Sequence, residues 1–481
     1  VPGQYLESID SIRAPWAEQA DRDSSDLQIL LEMTFTLALG RDVIVPQAYA
    51  LDSLGFLRAA SAVLDARDKA GVADRPFRLH LFNADSFDDA ARQVLARVGD
   101  PHKPFYCSLF PELHDPNVYR PAKARKRSKP LDLEWLLNRD WVGETRTELL
   151  RMSWREFSGR PAVKTRANGP GVSLVGVLDD FMDAPIPSHY SKTDDAEFRD
   201  VWKELKSAVK SLHPREGGAL AQRSNLYLPT PWPGDKKRRT AEEILGSPDR
   251  LRLVREFVDT IYNRMVADSI DEPLTASFTT DLVRANVDLG RVGAAQRIAL
   301  LSYARSTSSA SLARAAETSS GFQIVVRAPA AGDKSFLRQL KADLVAGLPA
   351  LMKARGESAQ DSDFWQGVDN YQSARRDGRP SQARAELQKH FDHVVRLMGS
   401  DIKAAPTPLL TGLGVPAAVG GVTTGGAEVY WDTGLGQGVS TAFGIVATYC
   451  ILREGQRAVD AYRQWTRTRR LVRALNDNIE I

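Results

Sequence analysis

The sequence predicts an α/β amino-terminal domain followed by a mainly α-helical domain, with a glycine-rich carboxy-terminal hairpin and a basic helix at its end. Three observations carry that prediction. Strand and helix patterns alternate over residues 43–98, as crossover units of a parallel sheet do. Past about residue 195 the apolar residues recur with helical spacing. After Lys403 charge disappears over two long runs rich in glycine. The divisions fall at 1–190, 191–403 and 404–481.

The elements follow in order. Asp26 to Gly40 is apolar all round and reads as a buried helix ending at a glycine. Val43-Ile44-Val45 reads as a short strand, and Asp52 follows it in a loop. Ser53 is placed to cap a helix from Leu54 to about Ala70, with Leu57, Ala60, Val63 and Leu64 on one face. Phe77 to Phe82 alternates like a strand, and a helix over 86–98 begins at Ser86. Asp115 to Pro130 is a proline-broken loop, helical signals return over 131–157, and the apolar run Val172 to Leu178 reads as a buried strand. Helices are then predicted over 195–212, 240–246, 248–267, 291–305, 334–354, 362–376 and 381–399. Thr240 with Glu243 forms a capping-box pattern, and Ser247-Pro248 an N-cap followed by proline at N1.

Composition excludes some classes. A 481-residue chain with 43% hydrophobic and 26% charged residues is globular, and a net charge of +3 makes no global case for nucleic acid. Two cysteines, Cys107 and Cys450, are too few for a disulfide framework, and the first ten residues carry neither a basic nor an apolar signal region. The reading is a cytoplasmic protein, membrane-associated if its carboxy-terminal hairpin engages lipid. Phosphate-loop, nucleophile-elbow and H-E-x-x-H motifs are absent.

Two functional readings emerge. In the first, an intracellular interaction or effector protein engages a membrane or a partner through residues 404–481. Between Lys403 and Glu428 there are 24 uncharged residues, and between Asp432 and Arg453 another 20. Gly421 with Gly425, and Gly434 with Gly438, are small-xxx-small pairs that permit close backbone approach. Basic residues flank the pair of runs, and Arg467 and Arg470 lie on the final helix, suited to an anionic surface. Glycine, threonine and three prolines dilute the runs, so a buried glycine-rich turn and helix is the competing description.

In the second, carboxylates at strand ends hold Mg²⁺ or Mn²⁺ for a metal-dependent phosphodiesterase or nuclease, because hard cations take oxygen ligands. Asp52, Asp179 and Asp180 are its catalytic candidates, with Asp183 as a further ligand. The basic run 120–129, six basic residues in ten, would contact nucleic acid, with Lys236 to Arg239 adding to the field. His390 and His393, at i and i+3, are a weaker metal candidate with Glu386, and His80, His102, Glu112, His114 and Asp115 are weaker still.

Overall fold

The computed structural model describes residues 3–10, 19–95, 144–165, 173–187, 196–213, 218–227, 231–270, 274–275, 289–308, 323–324, 334–358, 361–376, 379–398, 470–471 and 479–480. It is mostly helical, around a small parallel sheet at the amino terminus. The sheet contains β1 (Gly3–Leu6), β2 (Asp42–Pro46), β3 (Phe77–Phe82), β4 (Val163–Thr165) and β5 (Leu274–Thr275), in the order β4-β3-β2-β1-β5. Every neighbour runs parallel, with Tyr5 opposite both Ile44 and Leu274, Val45 opposite Leu79 and His80 opposite Val163. A parallel sheet covered on both faces needs strands without a wet side, and β1 and β2 are buried throughout. The same cover explains why His80, on the polar side of the predicted alternation, is fully buried.

Helix α1 (Gln19–Ala38) joins β1 to β2, and α2 (Gln47–Asp52) with α3 (Leu54–Ala70) joins β2 to β3. Ser53 caps α3 as predicted, accepting from the Phe56 N–H at 3.2 Å, and Gly71 ends it at a φ of 66°. The segment expected to be a loop before Ser53 is the short helix α2. Its Gln47 side chain accepts from the Phe82 N–H at 2.9 Å and donates to the Phe82 carbonyl at 3.2 Å, tying the carboxyl end of β2 to that of β3. Helix α4 (Phe87–Leu95) begins behind Ser86, whose hydroxyl accepts from the Asp89 N–H at 3.1 Å, and α5 (Glu144–Phe157) falls within the helical stretch expected at 131–157. Gly40, expected at the end of α1, has a φ of 68°, and a Cβ there would meet Phe364 Cε1 at 2.6 Å. Both constraints demand glycine.

One element is corrected. The strand expected over 172–178 is overturned within the described residues: Leu174–Asp183 is helix α6, and the fourth strand is Val163–Thr165. Ser173 accepts from the Gly176 N–H at 3.1 Å, and the buried residues Leu174, Val177, Leu178 and Phe181 lie on one helical stripe. An unbroken apolar run fits a buried strand and a buried helix equally, and the cap decides for the helix.

Helices α7 (Ala196–Leu212), α8 (Ala241–Leu245), α9 (Pro248–Ser269) and α10 (Leu289–Ser306) complete a second layer with α6. The Thr240–Glu243 capping box forms in full on α8, while Ser247 occupies the N-cap of α9 without a side-chain bond, ahead of Pro248. Helices α11 (Lys334–Ser358), α12 (Ser362–Arg376) and α13 (Pro380–Met398) follow. The apolar residues form two cores. The first draws on residues from Tyr5 to Ala91, Leu149 to Phe157, Val266 and Ala267, Leu340 to Val394, and Leu471. The second runs from Leu174 to Tyr303. Helices α11 to α13 pack on the sheet layer, in the first core. A two-stranded antiparallel sheet, β6 (Gln323–Ile324) with β7 (Ile479–Glu480), brings the last residues back to the body.

Candidate functional site

Besides the β6–β7 pairing, the carboxy-terminal region meets the body at Arg470 and Leu471. Leu471 is fully buried in the first core, where a Cβ on Gly347 of α11 would lie 2.4 Å from the Leu471 Cβ. The missing side chain at Gly347 is the socket. Beside it Arg470 lies 3.5 Å from Asp343, one turn earlier on α11. Burial of a leucine contributes about 1.5–3 kcal/mol, against at most about 1 kcal/mol for the half-exposed ion pair, so apolar docking dominates. Gly421, Gly425, Gly434, Gly438 and Arg467 lie outside the described residues, as does the run 120–129. Among the described residues no helix is long and apolar enough to cross a membrane.

The carboxyl end of β1 carries a polar cluster that the sequence did not announce. Asp10 follows β1 after a 3₁₀ turn, Glu7–Ile9, and its carboxylate pairs with Arg223. Arg223 Nε also donates to Asp259 of α9 at 2.9 Å, and the guanidinium lies 4.0 Å from the Tyr262 ring centroid. Tyr227 donates to the other oxygen of Asp259. Burial opposes the charge on Arg223, but the Asp10 and Asp259 carboxylates outweigh it and hold the guanidinium charged, well above its ordinary value. Next to this triad Tyr5 donates to Asn263 at 2.7 Å, and Asn263 donates to Glu7 at 3.4 Å. Gln28 and Ser8 both donate to Glu32. Burial, then the Asp10 charge, raises the Tyr5 and Tyr49 phenols well above their ordinary value, so both stay protonated donors. Arg223 is already shared by two carboxylates, so the cluster is a closed ionic seam between the two cores.

The predicted carboxylates are placed separately. Asp52 ends α2, is 2% exposed, and follows Leu51 of the first core. Asp179 and Asp180 stand on α6 between Leu178 and Phe181 of the second core. Asp179 lies 3.3 Å from His213 Nε2, and Asp180 accepts from the Ser306 hydroxyl at 2.6 Å. Asp183, the last residue of α6, is exposed and acts electrostatically on Lys206. Among the described residues no group of three or more His, Cys, Asp or Glu side chains is arranged to hold a metal ion.

The histidine pair separates too. His390 is buried, with Nε2 2.8 Å from the Ala38 carbonyl, whereas His393 lies 2.9 Å from Asp361 before α12. Glu386 pairs with Lys389 at 2.8 Å. In the second basic run Lys236, Lys237 and Arg238 are exposed and Arg239 pairs with Asp235 at 2.9 Å. Arg223 offered no sequence signal, being one arginine among many; Glu7 and Asp10 would have stood out had the four-residue β1 been recognised. No family model, curated protein or solved structure matches this chain.

Proposed function

We propose that the chain is an interaction protein whose folded body presents residues 404–469 to a membrane surface or, failing that, to a protein partner. The observation that carries this reading is the seating of Leu471 against Gly347. Helix α13 ends at Met398 with Leu397 packed against the first core, and beyond the uncharged runs Leu471 is buried in that same core. The segment between these two leucines contains both uncharged runs, and basic residues flank them. Small residues with basic flanks suit an anionic interface, where apolar contact and charge attraction add. A metal-dependent phosphodiesterase or nuclease that uses Asp52, Asp179 and Asp180 has less support, because each of Asp179 and Asp180 is engaged by a different neighbour and Asp52 belongs to the other core.

The test replaces residues 404–462 with a flexible linker and keeps Arg470 and Leu471, since removing everything past Lys403 would also remove a core residue. Flotation with anionic and neutral vesicles at two salt concentrations is expected to carry the full-length chain upward with anionic lipid. The folded linker variant should stay behind. A full-length chain that remains at the bottom with every lipid overturns the membrane arm, and crosslinking of both chains in cell extract then decides whether 404–462 captures a protein.

A further inference from the structure

The connection into α8, residues 231–239, folds into two consecutive turns. Pro233-Gly234 is the centre of the first, closed by the Asp235 N–H donating to the Trp232 carbonyl at 3.0 Å, and Gly234 has the positive φ, 82°, that a type II turn asks of that position. Lys236-Lys237 is the centre of the second, closed by the Arg238 N–H donating to the Asp235 carbonyl at 3.0 Å. The base is fastened. The Trp232 N–H donates to the Arg239 carbonyl at 2.7 Å, and the buried Trp232 indole donates to the Leu212 carbonyl at the end of α7 at 3.1 Å. Asp235 accepts from the Arg239 backbone N–H at 2.8 Å and from its guanidinium at 2.9 Å.

The acid of the turn is thereby taken up by Arg239. Lys236, Lys237 and Arg238 are exposed, and their side chains make no hydrogen bond or ion pair among the described residues. Of the acids that follow, Glu243 turns back to the Thr240 N–H at 2.7 Å, and Glu242 acts electrostatically on Arg255 of α9. Arg238 breaks a local rule. Its φ of 55° lies in the left-handed region where glycine or asparagine is the ordinary occupant. An exposed arginine there adds no burial, so the turn itself would fold at least as well with glycine, and such conformations are kept at functional positions. The helix that anchors the turn carries the same sign of charge. Arg199, Lys203 and Lys210 recur at i, i+4 and i+11 along one flank of α7, about 16 Å of helix, and their side chains too make no hydrogen bond or ion pair among the described residues.

We propose that the 231–239 turn is a contact for the phosphate backbone of a nucleic-acid duplex, with Lys236, Lys237 and Arg238 meeting phosphates and the α7 cations adding to the attractive field. Three observations select this partner among polyanions. Trp232 is 4% exposed, so the turn has no platform on which single-stranded bases stack, and the contact is to backbone without regard to sequence. The large apolar side chain exposed among the described residues is Val345 of α11, so the turn has nothing to insert into a bilayer. Lipid headgroups rearrange around any basic segment, whereas cations held by the hydrogen bonds of a turn suit phosphates at fixed spacing. These residues lie outside 404–469, and the contact stands independently of the interaction reading.

Fluorescence anisotropy of a labelled duplex of about 30 base pairs with the full-length chain, at about 50 to 200 mM salt, tests the contact. Saturable binding is expected, with log K falling linearly against log salt. Lys236→Gln, Lys237→Gln and Arg238→Gly together should make that slope shallower by about 2.7, about 0.9 per cation, and weaken binding equally on duplexes of unrelated sequence. Whatever residues 120–129 contribute is common to both chains, so the difference belongs to the turn. Arg238→Gly alone should make the slope shallower by about 0.9 while the urea midpoint holds or rises, a result that a purely structural role for the arginine does not give. No duplex binding at about 50 mM salt, or an unchanged slope in the triple variant, overturns the proposal. So does a triple variant that keeps its duplex binding and loses flotation with anionic vesicles, because the turn is then a lipid contact.

Discussion

Arg223 and Asp10 form a buried ion pair across 213 positions of sequence, and both side chains are at most 4% exposed. The pair stitches the end of β1 to the helical core, with Asp259 on the other side of the guanidinium. Arg223→Met leaves two carboxylates in a dry site without their cation, a change that costs about 3–5 kcal/mol. The urea midpoint should fall and the calorimetric transition should broaden or split as the cores uncouple. The triple variant Asp10→Asn, Arg223→Met, Asp259→Asn should recover most of the loss. Equal destabilisation in the triple variant would assign the effect to packing and remove charge from the account.

Gly347 sets up a contest of known sign. In a helix interior Gly→Ala ordinarily stabilises by about 1 kcal/mol. Here the new methyl would lie 2.4 Å from Leu471 Cβ, and overpacking of that kind costs about 1–3 kcal/mol. Gly347→Ala is therefore expected to destabilise slightly or break even while it expels Leu471, read as faster proteolysis near residue 471 and faster hydrogen exchange along α11. Leu471→Ala should cost about 2–5 kcal/mol. Unchanged proteolysis in both variants would remove the socket.

Two buried imidazoles make stability depend on pH. Burial lowers His80 and His390 to about 4, with the hydrogen bond to the Ala38 carbonyl acting in the opposite direction at His390. An unfolded histidine titrates near 6.5. Between these values the unfolded chain binds protons that the folded chain refuses, so stability is lost as pH falls from about 6.5 to about 4, by up to about 3 kcal/mol per group. His390→Gln, which retains a donor for Ala38, should flatten the curve of unfolding free energy against pH over that window. A slope identical to that of the unaltered chain would exclude His390 as a contributor.

Arg355 of α11 should resist conservative replacement. Its guanidinium bonds Asp42, Asp74 and the Arg41 carbonyl at the amino end of β2, three acceptors spread over a planar fork. Burial raises the Asp42 carboxyl above its ordinary value, and Arg355 works against that rise. Lysine offers a single point charge and cannot span the three. Arg355→Lys is expected to lower stability by about 2–4 kcal/mol in urea titration. A change below about 0.5 kcal/mol would show that charge alone, without the fork, suffices.

Much of the sheet layer was legible because its signals are local. Ser53 before an apolar-faced helix, and alternation over 77–82, need no knowledge of distant residues. β1, β4 and β5 were not legible, since Gly3–Leu6, Val163–Thr165 and Leu274–Thr275 are too short to show a period and exist by virtue of their neighbours. Up to Leu178 the run fits a strand as well as a helix; Phe181, three residues on, supplies the helical return of the stripe. Asp180 was singled out for metal chemistry, whereas its neighbours Ser306 and Arg305 arrive from α10, more than a hundred residues away in sequence. No spacing rule connects them.

The seat of Leu471 also dictates an order of events during synthesis. The second core draws only on residues 174 to 303, whereas the first needs residues from Tyr5 to Leu471. Translation delivers about 5–20 residues per second, and domains close as their parts emerge. The helical middle can thus assemble on the ribosome while the parallel strands that preceded it still await their last cover. The strands made before the helical middle are then sealed after it, and their open apolar face is where a chaperone would be expected to bind.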